Sequence, residues 1–420
     1  MKKVHYAWWV LTAAFFIYSV SCIGISTLPN IDAELKKQHG WTHAEVSGPS
    51  TLMYFLISIW AFFAGSLLDW VKPKLVVMVG GACSVLALLL YYHVQQLWHL
   101  YAVYAVYSVG VVATGVLPGM FILSRWFDRY RGLAAGIFMT GSSLSGIVFP
   151  KLAAYWTLNH DWQTAVLGLA VISGVLVGAS LLLLRNSPEE LGLHALGDKW
   201  EGRPADAPKL SSDRSDHSFR LVLVSPVFYL LLFVTAAMWF CISSLMSRHL
   251  PLFLSDLQLD INARANIGAL FFGSSIIGKI MFGFLGDKFD KTIIMLCAAI
   301  CMALGSVSLR MSVLSPEIFL VATAIIYGIG YSGMFTMIQL VVAEYYLGRD
   351  YGKILGFITT ADTLAGSLGI FLVGLLRTRL GSYEPAFDLM LALCIAAVGG
   401  ILLLRYLRQS KPPVATLISH

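Results

Sequence analysis

The sequence predicts an all-α membrane protein with twelve membrane-spanning helices in two related six-helix halves. Three observations predict it. Of 420 residues, 58% are hydrophobic and only 12% are charged, about half the charge of an ordinary soluble domain. The apolar residues gather in runs of about 20, the length that crosses a bilayer core at 1.5 Å per residue. A short glycine–aspartate segment occurs twice, about half a chain apart.

The runs fall near residues 7–28, 46–68, 74–92, 99–122, 132–155, 164–184, 225–247, 265–285, 292–311, 316–340, 353–376 and 385–406. The first follows Met1-Lys2-Lys3 and superficially resembles a secretion signal. It is longer than a signal core and lacks a small-x-small cleavage site, so it reads as a retained helix. Between the sixth and seventh runs, Arg185 to Arg220 is the one sustained polar stretch, with Pro188, Pro204, Pro208 and a Ser/Asp-rich segment. It reads as a linker. The expected organisation is a first bundle at 1–184, a linker at 185–223, a second bundle at 224–408 and a tail at 409–420.

An even number of spans puts both termini on one face. That face carries 20 of the 29 Lys and Arg residues and the opposite face 7. The bias predicts cytoplasmic termini and a multi-pass protein of the cytoplasmic (inner) membrane. The net charge of +6 does not point to nucleic acid, because the basic residues sit in short loops between apolar runs. The six cysteines lie in apolar runs, with no Cys-x-x-Cys pair and no nearby His or carboxylate to complete a metal site. Gly273 to Lys279 matches a phosphate loop up to its lysine, but Ile280 follows where Ser or Thr is needed, and the segment is an apolar helix. Nucleotide binding is not expected. No His-Glu-x-x-His and no paired carboxylates occur within the runs, so an enzyme is not expected either. The residues after Arg408 are too few for a signalling domain.

The repeat consists of Gly65…Asp69 with Lys72-Pro73-Lys74, and Gly283…Asp287 with Lys288 and Lys291, 218 residues on. Gly132 and Gly136 are answered by Gly352 and Gly356 after 220 residues. The Gly-x-x-x-Asp segments resemble the signature loop of the major facilitator superfamily. In that loop the aspartate caps the next helix or pairs with bases to latch one conformation. A narrower resemblance rests on Tyr6-Ala7-Trp8-Trp9-Val10, Ser124-Arg125-Trp126-Phe127 before Arg131-Gly132-Leu133-Ala134-Ala135-Gly136, Ser187-Pro188-Glu189-Glu190-Leu191-Gly192-Leu193 and His249-Leu250-Pro251. Together these look like the monocarboxylate transporter and oxalate:formate antiporter branch. The resemblance implies small organic anions moved with a proton or by exchange, with Asp69, Asp287, Arg125 and Arg131 in the conformational-switch loops. The same scaffold exporting a larger metabolite, siderophore or drug is the alternative.

Charges inside a bilayer are costly and therefore informative. Lys279 lies in the eighth run, roughly 10 Å from its terminus-side end. Both related families usually place a carboxylate-binding arginine there. Lysine keeps the positive charge without the two-pronged fork, which argues against oxalate. Asp362 lies near the middle of the eleventh run, where it either carries a proton, neutralises Lys279 or lines a wet cavity. The antiporter's helix-11 lysine would fall near Ile358, and the charges some monocarboxylate carriers use would fall near Ser26 and Ser275. None of the three is present. Arg248 and His249, at the outer end of the seventh run, read as a gate or an interfacial anchor. Tyr107 on the fourth run, and Tyr327 and Tyr331 on the tenth, lie on helices that line the cavity of the resembled fold, where their hydroxyls could meet a carboxylate. Gly132, Gly136, Gly141, Gly146, Gly352 and Gly356 are expected to allow close helix contacts.

Overall fold

Each apolar run becomes one helix, because a chain in hydrocarbon must satisfy its backbone N–H and C=O groups within itself. The computed structural model describes residues 5–127, 131–197, 222–346 and 351–409. The helices are α1 (Ala7–His39), α2 (His43–Trp70), α3 (Pro73–Tyr91), α4 (Leu97–Trp126), α5 (Arg131–Asn159) and α6 (Trp162–Leu183). The second half repeats the count. It comprises α7 (Pro226–Ser244), continued by a π-helical turn (Leu245–His249) and a last short helix (Leu250–Asp256), then α8 (Ile261–Lys288), α9 (Lys291–Met311), α10 (Pro316–Tyr346), α11 (Tyr351–Leu380) and α12 (Glu384–Gln409). Among the described residues, eleven of these are long and apolar enough to cross a bilayer. The 28-residue α2 supplies the twelfth.

Local chemistry explains where several helices start and stop. Thr42 and Glu45 form a reciprocal capping box at the start of α2. Asp161, Asp260 and Asp290 accept backbone N–H bonds at the starts of α6, α8 and α9. Gly40 ends α1 at φ 68°, a left-handed conformation that glycine adopts without strain. The cap of α9 is thus Asp290. The side chains of Asp69, Asp287 and Arg131 lie outside the described residues.

Two expectations need correction. The first span does not stop at residue 28. The helix is interrupted at Cys22 and Thr27 and runs on to His39, which carries Asp32 into the protein interior and leaves Glu34 part-buried. The stretch ends in charged residues, and Asp32, Glu34 and Lys36 meet partners on the other half there. The second correction concerns the glycines. Gly141 and Gly146 do allow close approach, since a side chain there would run into the Phe15 carbonyl and the Phe272 ring. Gly136 and Gly356 face open space, so helix contact does not explain them. Gly132 and Gly352 lie among residues whose surroundings are not described.

The two halves meet along α2–α11 and α5–α8. Each half has its own main apolar core, and the two touch across the seam, where Ala33 and Val46 join the second half's cluster and Ile370 joins the first's. The first half packs around Tyr91, Tyr104, Trp126 and Phe138, and the second around Phe228, Phe271, Tyr327 and Phe387. The seam between them holds most of the functional chemistry.

Candidate functional site

A cavity of about 200 Å³ lies midway along the helices. Its walls come from α1, α2, α4 and α5 on one side and from α7, α8, α10 and α11 on the other. Helix α4 is interrupted at Thr114–Gly115 where it meets this space.

Lys279 stands beside the cavity. Its ammonium crosses from α8 to α5 and donates to Met139 O (3.3 Å), Ser142 Oγ (2.9 Å) and Ser143 Oγ (2.8 Å). Ser142 is itself a wall residue, so Lys279 sits one hydrogen bond behind the wall. Three neutral oxygens use its three donors. Among the described residues no carboxylate pairs with it. The approach of α8 to α5 depends on small residues. Ser143 Oγ and Ser275 Oγ are 2.9 Å apart across the seam, and Phe272 rests on Gly146.

Asp362 on α11 is 2% exposed, with Thr235 of α7 beside it. Its Oδ1 has no hydrogen-bond partner, and no ion pair joins it to Lys279 among the described residues. Its neighbour Thr363 lines the cavity. Tyr331 also lines the cavity, with its ring stacked on Phe271 at 5.7 Å. Tyr327, one turn earlier, is buried in the second half's core, and its hydroxyl has no partner. Tyr107 donates to Val20 O at 2.8 Å and packs on Gly24, tying α4 to α1.

Arg248 and His249 belong to a second cluster at the end opposite the termini. Arg248 is fully buried. It pairs with Asp32, donates to the Val46 carbonyl and lies 3.3 Å from Tyr104 Oη. Tyr91 and Tyr104 both donate to the same Asp32 carboxylate. Next to it, His249 Nε2 is 2.9 Å from Ile370 O and Nδ1 is 3.2 Å from Tyr383 Oη. Tyr383 Oη in turn meets His43 Nδ1 at 3.1 Å. His43 Nε2, Lys36 Nζ and Arg377 converge on Asp256, at 3.1, 3.1 and 2.8 Å. Burial opposes ionisation of Asp256, but His43 and Lys36 outweigh it and hold its carboxyl well below the usual carboxylate range. Arg264 of α8 pairs with Glu34 of α1.

Most of these contacts join one half to the other. At the termini end, the described ion pairs of Lys291 and Arg408 with Glu344 and Asp290 stay within the second half. Arg125 is exposed there, with its guanidinium 4.5 Å from the Phe121 ring.

Sequence reasoning missed Asp32, Glu34, His43, Asp256 and Tyr383. A span boundary drawn where charge begins hid the first two. The signal that could have found them was the continuous helical spacing from Leu28 to Leu35.

Twelve spanning helices in two pseudo-symmetric halves, with a cavity at their midplane seam, define a helical membrane transporter. The chain belongs to the Major Facilitator Superfamily, whose sequence model matches residues 14–268 and 256–419. It is 29% identical over 336 residues to "Monocarboxylate transporter 13" of Bos taurus, covering 79% of this chain and 74% of that protein. It is 23% identical over 352 residues to "Uncharacterized MFS-type transporter YcxA" of Bacillus subtilis, covering 80% and 79%. Among solved structures, a bacterial homolog to the human lysosomal transporter Spinster superposes with a TM-score of 0.71 at 15% identity, covering 98% of this chain and 100% of that one.

Proposed function

We propose that this transporter is a secondary carrier of small, monocarboxylate-like organic anions, moved by alternating access with a proton or by exchange. One observation carries the proposal. The Lys279 ammonium lies within a membrane span, is held only by neutral oxygens and has no counter-charge among the described residues. An uncompensated buried cation is costly. An arriving carboxylate supplies the missing charge by replacing the serine hydroxyls as acceptor. Because Lys279 bridges α8 to α5, that exchange of partners also releases a tie between the halves. The name of the Bos taurus relative supports the same cargo class.

Asp362 is the group proposed to take up and release the coupled proton. It is buried, lacks a cation and stands beside the cavity residue Thr363. Division at residues 185–223 makes each half one rocking unit. The excess of Lys and Arg on the terminus face supports cytoplasmic termini in the cytoplasmic membrane. The cross-half ties then close the outer face.

The test is uptake of radiolabelled pyruvate and lactate into proteoliposomes, with and without an inward proton gradient. The gradient accelerates wild-type uptake if coupling is by symport. Lys279→Ala lowers uptake at least about tenfold, the loss of a charge-assisted contact made to substrate. Asp362→Asn removes the gradient's effect and spares exchange. An unchanged rate in Lys279→Ala removes the anion assignment. The largely apolar cavity wall favours a second reading, export of a larger metabolite. It predicts that neutral solutes are still carried by Lys279→Gln.

A further inference from the structure

The cavity has the Lys279 ammonium one hydrogen bond behind its Ser142 wall and is otherwise apolar, with aliphatic side chains and six aromatic rings. Tyr18, Tyr54, Trp239, Phe272, Tyr331 and Phe335 all line it. Several of these rings are held in place by a ring behind them or beside them in the wall. Tyr18 stacks on Phe138 at 4.7 Å, Tyr331 on Phe271 at 5.7 Å, and Trp239 meets Phe335 edge-on at 5.8 Å. The walls are therefore pre-formed rather than created by the cargo.

The aliphatic hydroxyls of the wall have little left to offer. Ser21 donates to Tyr18 O at 2.8 Å, Ser26 to Cys22 O at 2.9 Å, Ser142 to Met139 O at 3.0 Å and Thr363 to Thr359 O at 2.9 Å. Each proton is committed to its own helix. A cargo rich in hydroxyls would bring donors and acceptors into this space and find few partners. A second negative charge fares no better. The buried arginines on the seam, Arg248 and Arg264, are already paired with Asp32 and Glu34. A volume of about 200 Å³ holds several waters at about 30 Å³ each. A two- or three-carbon acid would leave much of the apolar wall wet.

We propose that the preferred cargo is a singly charged carboxylate bearing an aromatic or similarly bulky apolar body, in preference to a short hydroxy acid or a dicarboxylate. This rests on the reading of Lys279 as the anion site. The carboxylate takes the Ser142 side of the cavity and the apolar body lies among the rings. Burying a ring there removes far more apolar surface from water than burying a methyl group.

Uptake of radiolabelled phenylpyruvate, pyruvate and malonate into proteoliposomes of the full chain tests it. The expected result is a KM for phenylpyruvate about tenfold below that for pyruvate, with malonate not carried. Phe335→Leu narrows that gap by raising the KM for phenylpyruvate more than that for pyruvate, with the melting temperature measured alongside to show that the variant is folded. Lys279→Ala abolishes uptake of both monoanions. If pyruvate or malonate is carried as well as phenylpyruvate, and still depends on Lys279, the aromatic preference is overturned and the anion site stands. If none of the three is carried, both readings fall.

Discussion

Arg248 is fully buried and Lys279 is half-buried beside the seam, and their surroundings differ in kind. Arg248 has a carboxylate, Asp32, which two tyrosines also hold, so its charge is matched. Lys279 has hydrogen bonds but, among the described residues, no charge to match. A matched pair holds structure together, and the proposed function gives the unmatched cation a ligand to receive. Removing one member of a buried pair leaves the other stranded, at a cost of about 3–5 kcal/mol. Asp32→Asn is therefore expected to lower the melting temperature of the purified protein sharply. The double variant Asp32→Asn with Arg248→Gln is expected to recover part of that loss. Additive losses in a double-mutant cycle would show that the pair is not coupled. Asp256 is matched as well. Its carboxyl is held well below the usual range, so its ties to His43, Lys36 and Arg377 are fully present above the ordinary carboxylate range. They are lost only as pH falls through the depressed value.

Among the helices, the stripe Gly141-Ser142-Ser143-Leu144-Ser145-Gly146 on α5 decides how closely α1 and α8 approach. A side chain at Gly141 would press on the Phe15 carbonyl of α1 at 2.8 Å, whereas one at Gly136 would meet nothing within 4 Å. Gly141→Leu is expected to cost about 1–3 kcal/mol through overpacking, seen as a lower melting temperature. Gly136→Leu is expected to leave it unchanged. The helices themselves were readable from the run of apolar residues, since bilayer thickness sets their length. Their ends were less so. The α1 boundary was placed eleven residues early (28 rather than 39) because charge in a sequence reads as water-facing. Here Asp32 and Glu34 face arginines contributed by α7 and α8, more than 200 residues away. No local pattern carries that information. Lys279 and Asp362 were readable because each is an isolated charge in an apolar run. That Lys279 is received by Ser142 and Ser143, and that Tyr107 serves as a strut, follow only from which helices pack together.

For the molecule as a whole, the ties between halves are unevenly distributed. Among the described residues the cross-half ion pairs Asp32–Arg248, Glu34–Arg264 and Lys36–Asp256, and the His43–Asp256 contact, all lie at the end away from the termini. That end is closed, and the cavity lies between it and the terminus face. Alternating access requires this closure to break in every cycle. Ser47 of α2 and Gly374 of α11 touch across it, with Ser47 Cβ 3.0 Å from where a Gly374 side chain would begin. In a background without native cysteines, Ser47→Cys with Gly374→Cys is expected to cross-link on oxidation. Transport then stops, and reduction restores it. Full transport by the cross-linked protein would mean that this end does not open.

The account turns on Lys279 as the receiver of negative charge, and equilibrium binding tests that most directly. Purified wild type, Lys279→Arg and Lys279→Gln are titrated with labelled phenylpyruvate and pyruvate, with the melting temperature measured alongside to show that each variant is folded. The account predicts saturable binding to wild type, retained binding to Lys279→Arg and loss of at least about tenfold in affinity for Lys279→Gln. Undiminished carboxylate binding by folded Lys279→Gln would contradict it.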